Sequence, residues 1–168
     1  GHVAIHLLEQ QVQKDSIQGS SADRFDEKEN DSEKTSATGT RLVVYHLETA
    51  RQDTLKSVSD FTFSEDGSKL LYAVTSTDST QKSGVYVYFT GDARIVGLKV
   101  GRGTYKNPIW DKKGRQAAFV ADLDTSKARQ RYFSLYHWHM DTDSARILAD
   151  TLSTGLPAEW MISEHGKI

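Results

Sequence analysis

Two histidines at strand spacing, His137 and His139, flank Trp138 and are followed by Asp141. Residues two apart on a strand face the same side, so both imidazoles could reach one metal ion with Asp141 as a third ligand. An outer strand with one wet face gives the same pattern, with both histidines in water and Trp138 packed inward, and this is the reading the sequence favours. Asp122-Leu-Asp124 is an acidic turn of the kind that can hold calcium, one turn among many. The aromatic residues Tyr45, Tyr72, Tyr86, Tyr88, Tyr105, Tyr132, Tyr136, Trp110, Trp138 and Trp160 offer faces on which sugars or bases could stack. At strand spacing and repeat-equivalent positions they read as packing residues instead.

No catalytic set accompanies these groups. The chain has no Gly-x-Ser-x-Gly elbow, no His-Glu-x-x-His helix, no glycine-rich phosphate loop and no EF-hand loop. The expectation is therefore no catalytic residue, no cofactor-binding residue and no metal ligand. A net charge of −2 with both signs mixed offers no basic stripe, which argues against nucleic acid as a partner. No apolar stretch approaches the ~18 residues of a membrane span, so membrane insertion is not expected. The first residues, Gly1-His2-Val3-Ala4-Ile5-His6, lack the charged lead and apolar centre of a signal peptide. The absence of cysteine leaves the compartment open.

The elements that must position these residues come in repeats. Phe61-Thr-Phe-Ser-Glu-Asp-Gly67, Pro108-Ile-Trp-Asp-Lys-Lys-Gly114 and Glu159-Trp-Met-Ile-Ser-Glu-His-Gly166 each join an apolar segment to a polar turn and a glycine. In the first two copies an apolar run follows, at 70–74 and 117–121. A second recurrence is Arg41-Leu-Val-Val-Tyr45, Gly84-Val-Tyr-Val-Tyr88 and Tyr132-Phe-Ser-Leu-Tyr136, each followed by a turn and an Ala-Arg pair, at Ala50-Arg51, Ala93-Arg94 and Ala145-Arg146. Strand-built repeats of 40 to 50 residues are the mark of a β-propeller, whose four-stranded blades bury their faces on one another.

The fold expected is all-β, a partial propeller of about two complete four-stranded blades plus parts of two flanking blades. Residues 1–18 hold the first strand of an incomplete blade, 19–40 a flexible polar loop and 41–57 the remainder of that blade. Residues 58–100 and 101–151 are the complete blades, and 152–168 starts a truncated one. Strands are predicted near 3–8, 41–47, 52–56, 59–63, 69–75, 84–89, 106–110, 116–122, 131–139 and 158–163. The segment at 19–40 is poor in apolar residues, which cannot offset the entropy of ordering it. Apolar end faces left open by incomplete blades predict self-association or strand exchange, with Met161 and Ile162 at or near the contact.

Pro108-Ile-Trp110-Asp-Lys-Lys-Gly114-Arg-Gln-Ala-Ala-Phe119-Val resembles the hairpin motif of propellers in the prolyl oligopeptidase and dipeptidyl peptidase family of serine peptidases. There a Pro, an aromatic residue, Ser-x-Asp-Gly and a strand with a late aromatic recur in each blade. Phe63-Ser64-Glu65-Asp66-Gly67 with Tyr72 fits the same motif, and the resemblance extends over 41–155. It implies a non-catalytic propeller segment of a serine peptidase, restricting or orienting peptide access to an α/β-hydrolase domain absent from this chain. The partners implied are the rest of the propeller, that hydrolase domain and a peptide substrate, in an exported protein of the periplasm or cell envelope. The family's catalytic triad lies in the hydrolase domain and its substrate-binding glutamates have no match here, so no site residue carries over. The alternative is a propeller protein-binding module without enzymatic activity. A carbohydrate-active propeller is the weaker third reading.

Overall fold

A computed structural model describes residues 3–8, 39–77, 81–126, 130–157 and 159–164, the first of these segments by its backbone. Six strands form one antiparallel sheet in chain order: β1 (Val3–Leu8), β2 (Thr40–His46), β3 (Gln52–Phe63), β4 (Lys69–Val74), β5 (Gly84–Phe89) and β6 (Ile95–Val100). Four more, β7 (Thr104–Trp110), β8 (Gln116–Asp122), β9 (Ser134–His139) and β10 (Arg146–Ala149), form a second antiparallel sheet. There is no helix among the described residues, and the partial propeller expected from the repeats is the fold. The loop expected at 19–40 lies outside the described residues except for Gly39 and Thr40, which join the sheet. A Cβ on Gly39 would stand 2.1 Å from the carbonyl oxygen of Ser57, so only glycine fits there.

Three units follow from the pairing. Blade 1 comprises β1, β2 and the first half of β3. Blade 2 is the second half of β3 with β4, β5 and β6, and blade 3 is β7 to β10. The repeated glycines explain their own spacing: Gly67 and Gly114 have φ of 68° and 60° and close the β3–β4 and β7–β8 hairpins. Each donates its backbone N–H three residues back, to Ser64 O at 2.8 Å and Asp111 O at 3.0 Å. This is a type I turn followed by a left-handed residue, a hairpin geometry that favours glycine.

The two strands predicted at 52–56 and 59–63 are one. β3 runs twelve residues, pairing with β2 through its first half and with β4 through its second. Ser57 takes φ of 55°, and register shifts flank it on both ladders. The strand thus bends from one blade into the next without ending, because left-handed Ser57 and the two bulges absorb the turn.

Both faces of blade 2 are covered. Leu70, Tyr72, Val74 and Tyr88, with Val58 at the bend of β3, pack on Leu42, Val44 and Leu55 of blade 1. The alternate residues of the same strands, Leu71, Ala73, Val85 and Val87, pack on Tyr105, Ala117, Phe119, Tyr136 and Trp138 of blade 3. Every residue of β4 is therefore buried, as the unbroken apolar run of residues 70–74 requires, and Lys69 at its start is buried with them. Each Leu or Val so covered contributes about 1.5–3 kcal/mol. Within blade 3, Phe119 stacks on Tyr136, with centroids 5.3 Å apart, and Trp110 meets Trp138 edge-on, while Trp110 Nε1 crosses the junction to donate to Thr62 O at 3.3 Å.

The register corrects one equivalence. Lys69 pairs with Phe89 and Gln116 with His139, so Trp138 in blade 3, not Tyr136, stands where Tyr88 stands in blade 2. A slip of two keeps side chains on the same face, so the hydrophobic pattern cannot detect it. The strand predicted at 158–163 does not form over 159–163, the part of it that is described. Among its described residues only Ile162 bridges, to Phe133, while Trp160 and Met161 stay 65% and 48% exposed. An inner strand is held by its neighbouring strand in the same blade, and among the described residues none lies beside this segment.

Candidate interaction cleft between blades 1 and 2

The turns after β2 and β5 and the β3–β4 hairpin meet at one end of the propeller. They enclose a cleft of about 330 Å³, lined by His46, Glu48, Arg51, Asp66, Ser68 and Thr90 among others. Ala50 and Ala93, in the two turns, have φ of 54° and 57°. The backbone then returns through Arg51 and Arg94, whose carbonyls accept from His46 N and Phe89 N, each at 2.9 Å. This gives the Ala-Arg recurrence a local cause: alanine holds the left-handed turn position and arginine opens the outer strand. The third pair is different. Ala145 is buried, donates its N–H to Leu98 O at 2.8 Å, and ends a longer turn.

His46 and Arg51, which line the cleft, converge with Asp53 and Tyr88. The Tyr88 hydroxyl donates to Asp53 Oδ2 at 2.5 Å, and Arg51 Nε donates to the same oxygen at 3.0 Å. Arg51 Nη2 reaches Thr90 O at 3.0 Å and Tyr88 Oη at 3.3 Å, and lies 3.0 Å from His46 Nε2. Tyr88 belongs to blade 2 and the other three side chains to blade 1, so the cluster is a polar latch across the junction. Burial pushes the Asp53 carboxyl up, but the Tyr88 hydroxyl and Arg51 guanidinium outweigh it and hold it below the usual carboxylate range. Burial and the bond to Asp53 push the Tyr88 phenol up. An acid held ionised and a phenol held protonated make a poor base and a poor nucleophile.

Across the cleft, the Asp66 carboxylate accepts from Ser64 Oγ, Ser68 Oγ and Ser68 N at 2.6, 2.8 and 3.1 Å. These bonds lower its pKa to about 2. The blade 2 turn replaces the Arg51–His46 contact with Arg94 lying 3.9 Å over the Phe89 ring.

Of the groups singled out in the sequence, Tyr88 joins the latch, while His137, His139, Asp141 and the Asp122–Asp124 turn lie elsewhere. His137 Nε2 is 2.8 Å from Gln116 Oε1, His139 Nδ1 is 3.3 Å from Asp141 Oδ2, and Trp138 is buried between them. No group of three or more metal-ligating side chains converges among the described residues. The Asp122–Asp124 turn is filled by Arg131, which donates to Asp122 Oδ2 at 3.0 Å and Asp124 O at 3.1 Å. Of the aromatics, Tyr72, Tyr88, Tyr105, Tyr136 and Trp138 are buried, while Tyr132 and Trp160 are exposed. Sequence reasoning missed the latch. The Ala-Arg repeat and the i, i+2 pair Arg51 and Asp53 were visible signals, but Tyr88 is 35 residues away from Asp53.

No protein family and no curated protein matches the sequence. Solved structures do. The β-propeller domain of the Trilobed protease from Pyrococcus furiosus, described with an open velcro topology, is 11% identical with a TM-score of 0.50, over 63% of this chain and 33% of that one. The acylaminoacyl peptidase of Pyrococcus horikoshii is 9% identical with a TM-score of 0.48, over 66% of this chain and 20% of that one. The tricorn protease is 16% identical with a TM-score of 0.44, over 59% of this chain and 11% of that one. The chain thus spans a third or less of the length of each, and at 11% identity the likeness to the Trilobed protease domain shows the propeller fold.

Proposed function

We propose that this chain is a non-catalytic propeller segment of a prolyl-oligopeptidase-type serine peptidase, restricting or orienting peptide access to a hydrolase domain. The observation that carries the reading is the pair of hairpins closed by Gly67 and Gly114, whose Pro/aromatic-turn-Gly sequence resembles that family's blade motif. The likeness to the propeller of the Trilobed protease supports it. In this reading the peptide substrate and the hydrolase domain are the partners, and the chain also associates with itself through its open blade faces. The cleft between blades 1 and 2 supports a recognition role, because the latch fixes two of its lining side chains, His46 and Arg51, and bonds from Ser64 and Ser68 hold Asp66 ionised.

The test has two parts. The sequence downstream of these residues in the gene should contain Gly-x-Ser-x-Gly, and the chain alone should resist labelling by a fluorophosphonate probe. A downstream sequence without that elbow favours the protein-binding module, and stoichiometric labelling of a serine in this chain would overturn the non-catalytic reading.

A further inference from the structure

Asp66-Gly67 is the one Asp-Gly step in the chain, with Asp66 exposed in the turn of the β3–β4 hairpin. Such a step is prone to isomerise, because the residue after the aspartate has no side chain to keep its nitrogen from the carboxyl carbon. Gly67 N would attack Asp66 Cγ, losing its proton, and the protonated carboxyl would expel its hydroxyl as water. Water then opens the resulting succinimide ring. Opening at Cγ returns aspartate, and opening at the main-chain carbonyl gives isoaspartate. One water leaves and one is added, so no co-reactant is needed. The matching hairpin of blade 3 has Lys113 before Gly114 and cannot react in this way.

The fold blocks each requirement of ring closure. Asp66 is the third residue of the type I turn, where ψ is about 0°. That angle turns Gly67 N away from Asp66 Cβ, whereas closing the ring needs the two nearly eclipsed. The Gly67 N–H is committed to Ser64 O at 2.8 Å. The carboxylate accepts from Ser64 Oγ at 2.6 Å, from Ser68 Oγ at 2.8 Å and from Ser68 N at 3.1 Å. These bonds favour the ionised form, and it is the protonated form that loses water. Ser64 is itself anchored, since its Oγ accepts from Lys69 N at 3.0 Å and it is 2% exposed.

We infer that Asp66-Gly67 is a modification site held closed by the hydrogen bonds of its own hairpin, converting to isoaspartate only when the β3–β4 hairpin opens. Isoaspartate adds a methylene to the main chain and carries its carboxylate directly on Cα. The bonds from Ser64 and Ser68 then lose their geometry, and the cleft between blades 1 and 2 loses the Asp66 carboxylate from its lining. A transient opening is thereby turned into a lasting change in the cleft.

The readout is isoaspartate at residue 66, counted by isoaspartyl methyltransferase labelling and located in the tryptic peptide Ser57–Lys69 by electron-transfer fragmentation. In urea at neutral pH the label should accumulate, and Gly67→Ala should slow it there by crowding the attacking nitrogen. In the folded chain it should accumulate at least about tenfold more slowly, because a reaction through an opened state follows the small population of that state. Ser68→Ala removes the Oγ bonds to both carboxylate oxygens. It should speed the reaction several-fold in the folded chain, with folding checked by circular dichroism, and leave the rate in urea unchanged. Equal rates in the folded chain and in urea, or a folded Ser68→Ala chain no faster than the unsubstituted one, overturn the proposal. Should Ser68→Ala not fold, the two rates of the unsubstituted chain decide alone.

Discussion

Tyr88 and Asp53 sit in different blades and share a 2.5 Å hydrogen bond, with Tyr88 1% exposed and its hydroxyl also bonded by Arg51, which lines the cleft. The ring belongs to the apolar junction and the hydroxyl to the polar latch, so one side chain ties two kinds of contact together. Tyr88→Phe keeps the ring and removes the bond. A hydrogen bond to a charged acceptor contributes about 1.5–3 kcal/mol, and the expected loss in urea unfolding is about 1–2 kcal/mol because Arg51 still pairs with Asp53. In a double-mutant cycle with Asp53→Asn, additive effects would remove the latch as a unit.

Asp66 should titrate near 2 by NMR, since Ser64 and Ser68 stabilise its ionised form. A depressed carboxylate stabilises the fold above its unfolded pKa of 3.8, and that contribution fades as pH falls from there through about 2. Ser64→Ala should move the midpoint toward 3.8. An unchanged midpoint in that variant would show that the serine bonds are not the cause.

Asp60 carries the opposite sign. Burial raises its pKa, while its bonds from Phe61 N and Asn107 N act against the rise. Ionised Asp60 therefore costs stability as pH rises through its folded pKa. Asp60→Asn keeps an acceptor for Asn107 N, 3.1 Å away, and should raise the urea midpoint at pH 7. The gain should shrink at pH 3; a gain equal at both values means that charge is not the reason.

The two repeat glycines should differ on substitution. Gly67→Ala meets no heavy atom within 4 Å, so only the left-handed backbone opposes it, at about 1 kcal/mol. Gly114→Ala has the same φ cost and also brings its Cβ to 3.1 Å from Ser64 Cβ, so it should cost more. Exposed Ala50, already left-handed at 54°, should gain about 0.5 kcal/mol as Gly. Equal unfolding midpoints for the two glycine variants would refute the close approach of the two hairpins.

The repeats made the strands and the facing of their side chains legible, because an unbroken apolar run such as β4 has few other uses. The sequence did not reveal the fusion of two strands into β3, since Ser57 bends the chain without the glycine or proline that normally marks a break. Nor did it reveal Trp138 as the partner of Tyr88, for a two-residue slip leaves parity intact. The latch was hidden for a different reason. His46, Arg51 and Asp53 look like ordinary turn and strand residues until Tyr88 is brought to them by the packing of one blade on the next.

The unbroken course of β3 sets where this protein can open. Blades 1 and 2 share that strand, so amides on either side of Ser57 should exchange with deuterium as one cooperative block. Blade 3 is joined to that block through Gly101 and Gly103, at φ of 154° and 152°, conformations that glycine adopts freely. Partial unfolding should therefore split the molecule at Gly101 to Gly103, releasing the second sheet whole. A propeller is usually counted in blades; in its local openings this one divides into a double blade and a single one.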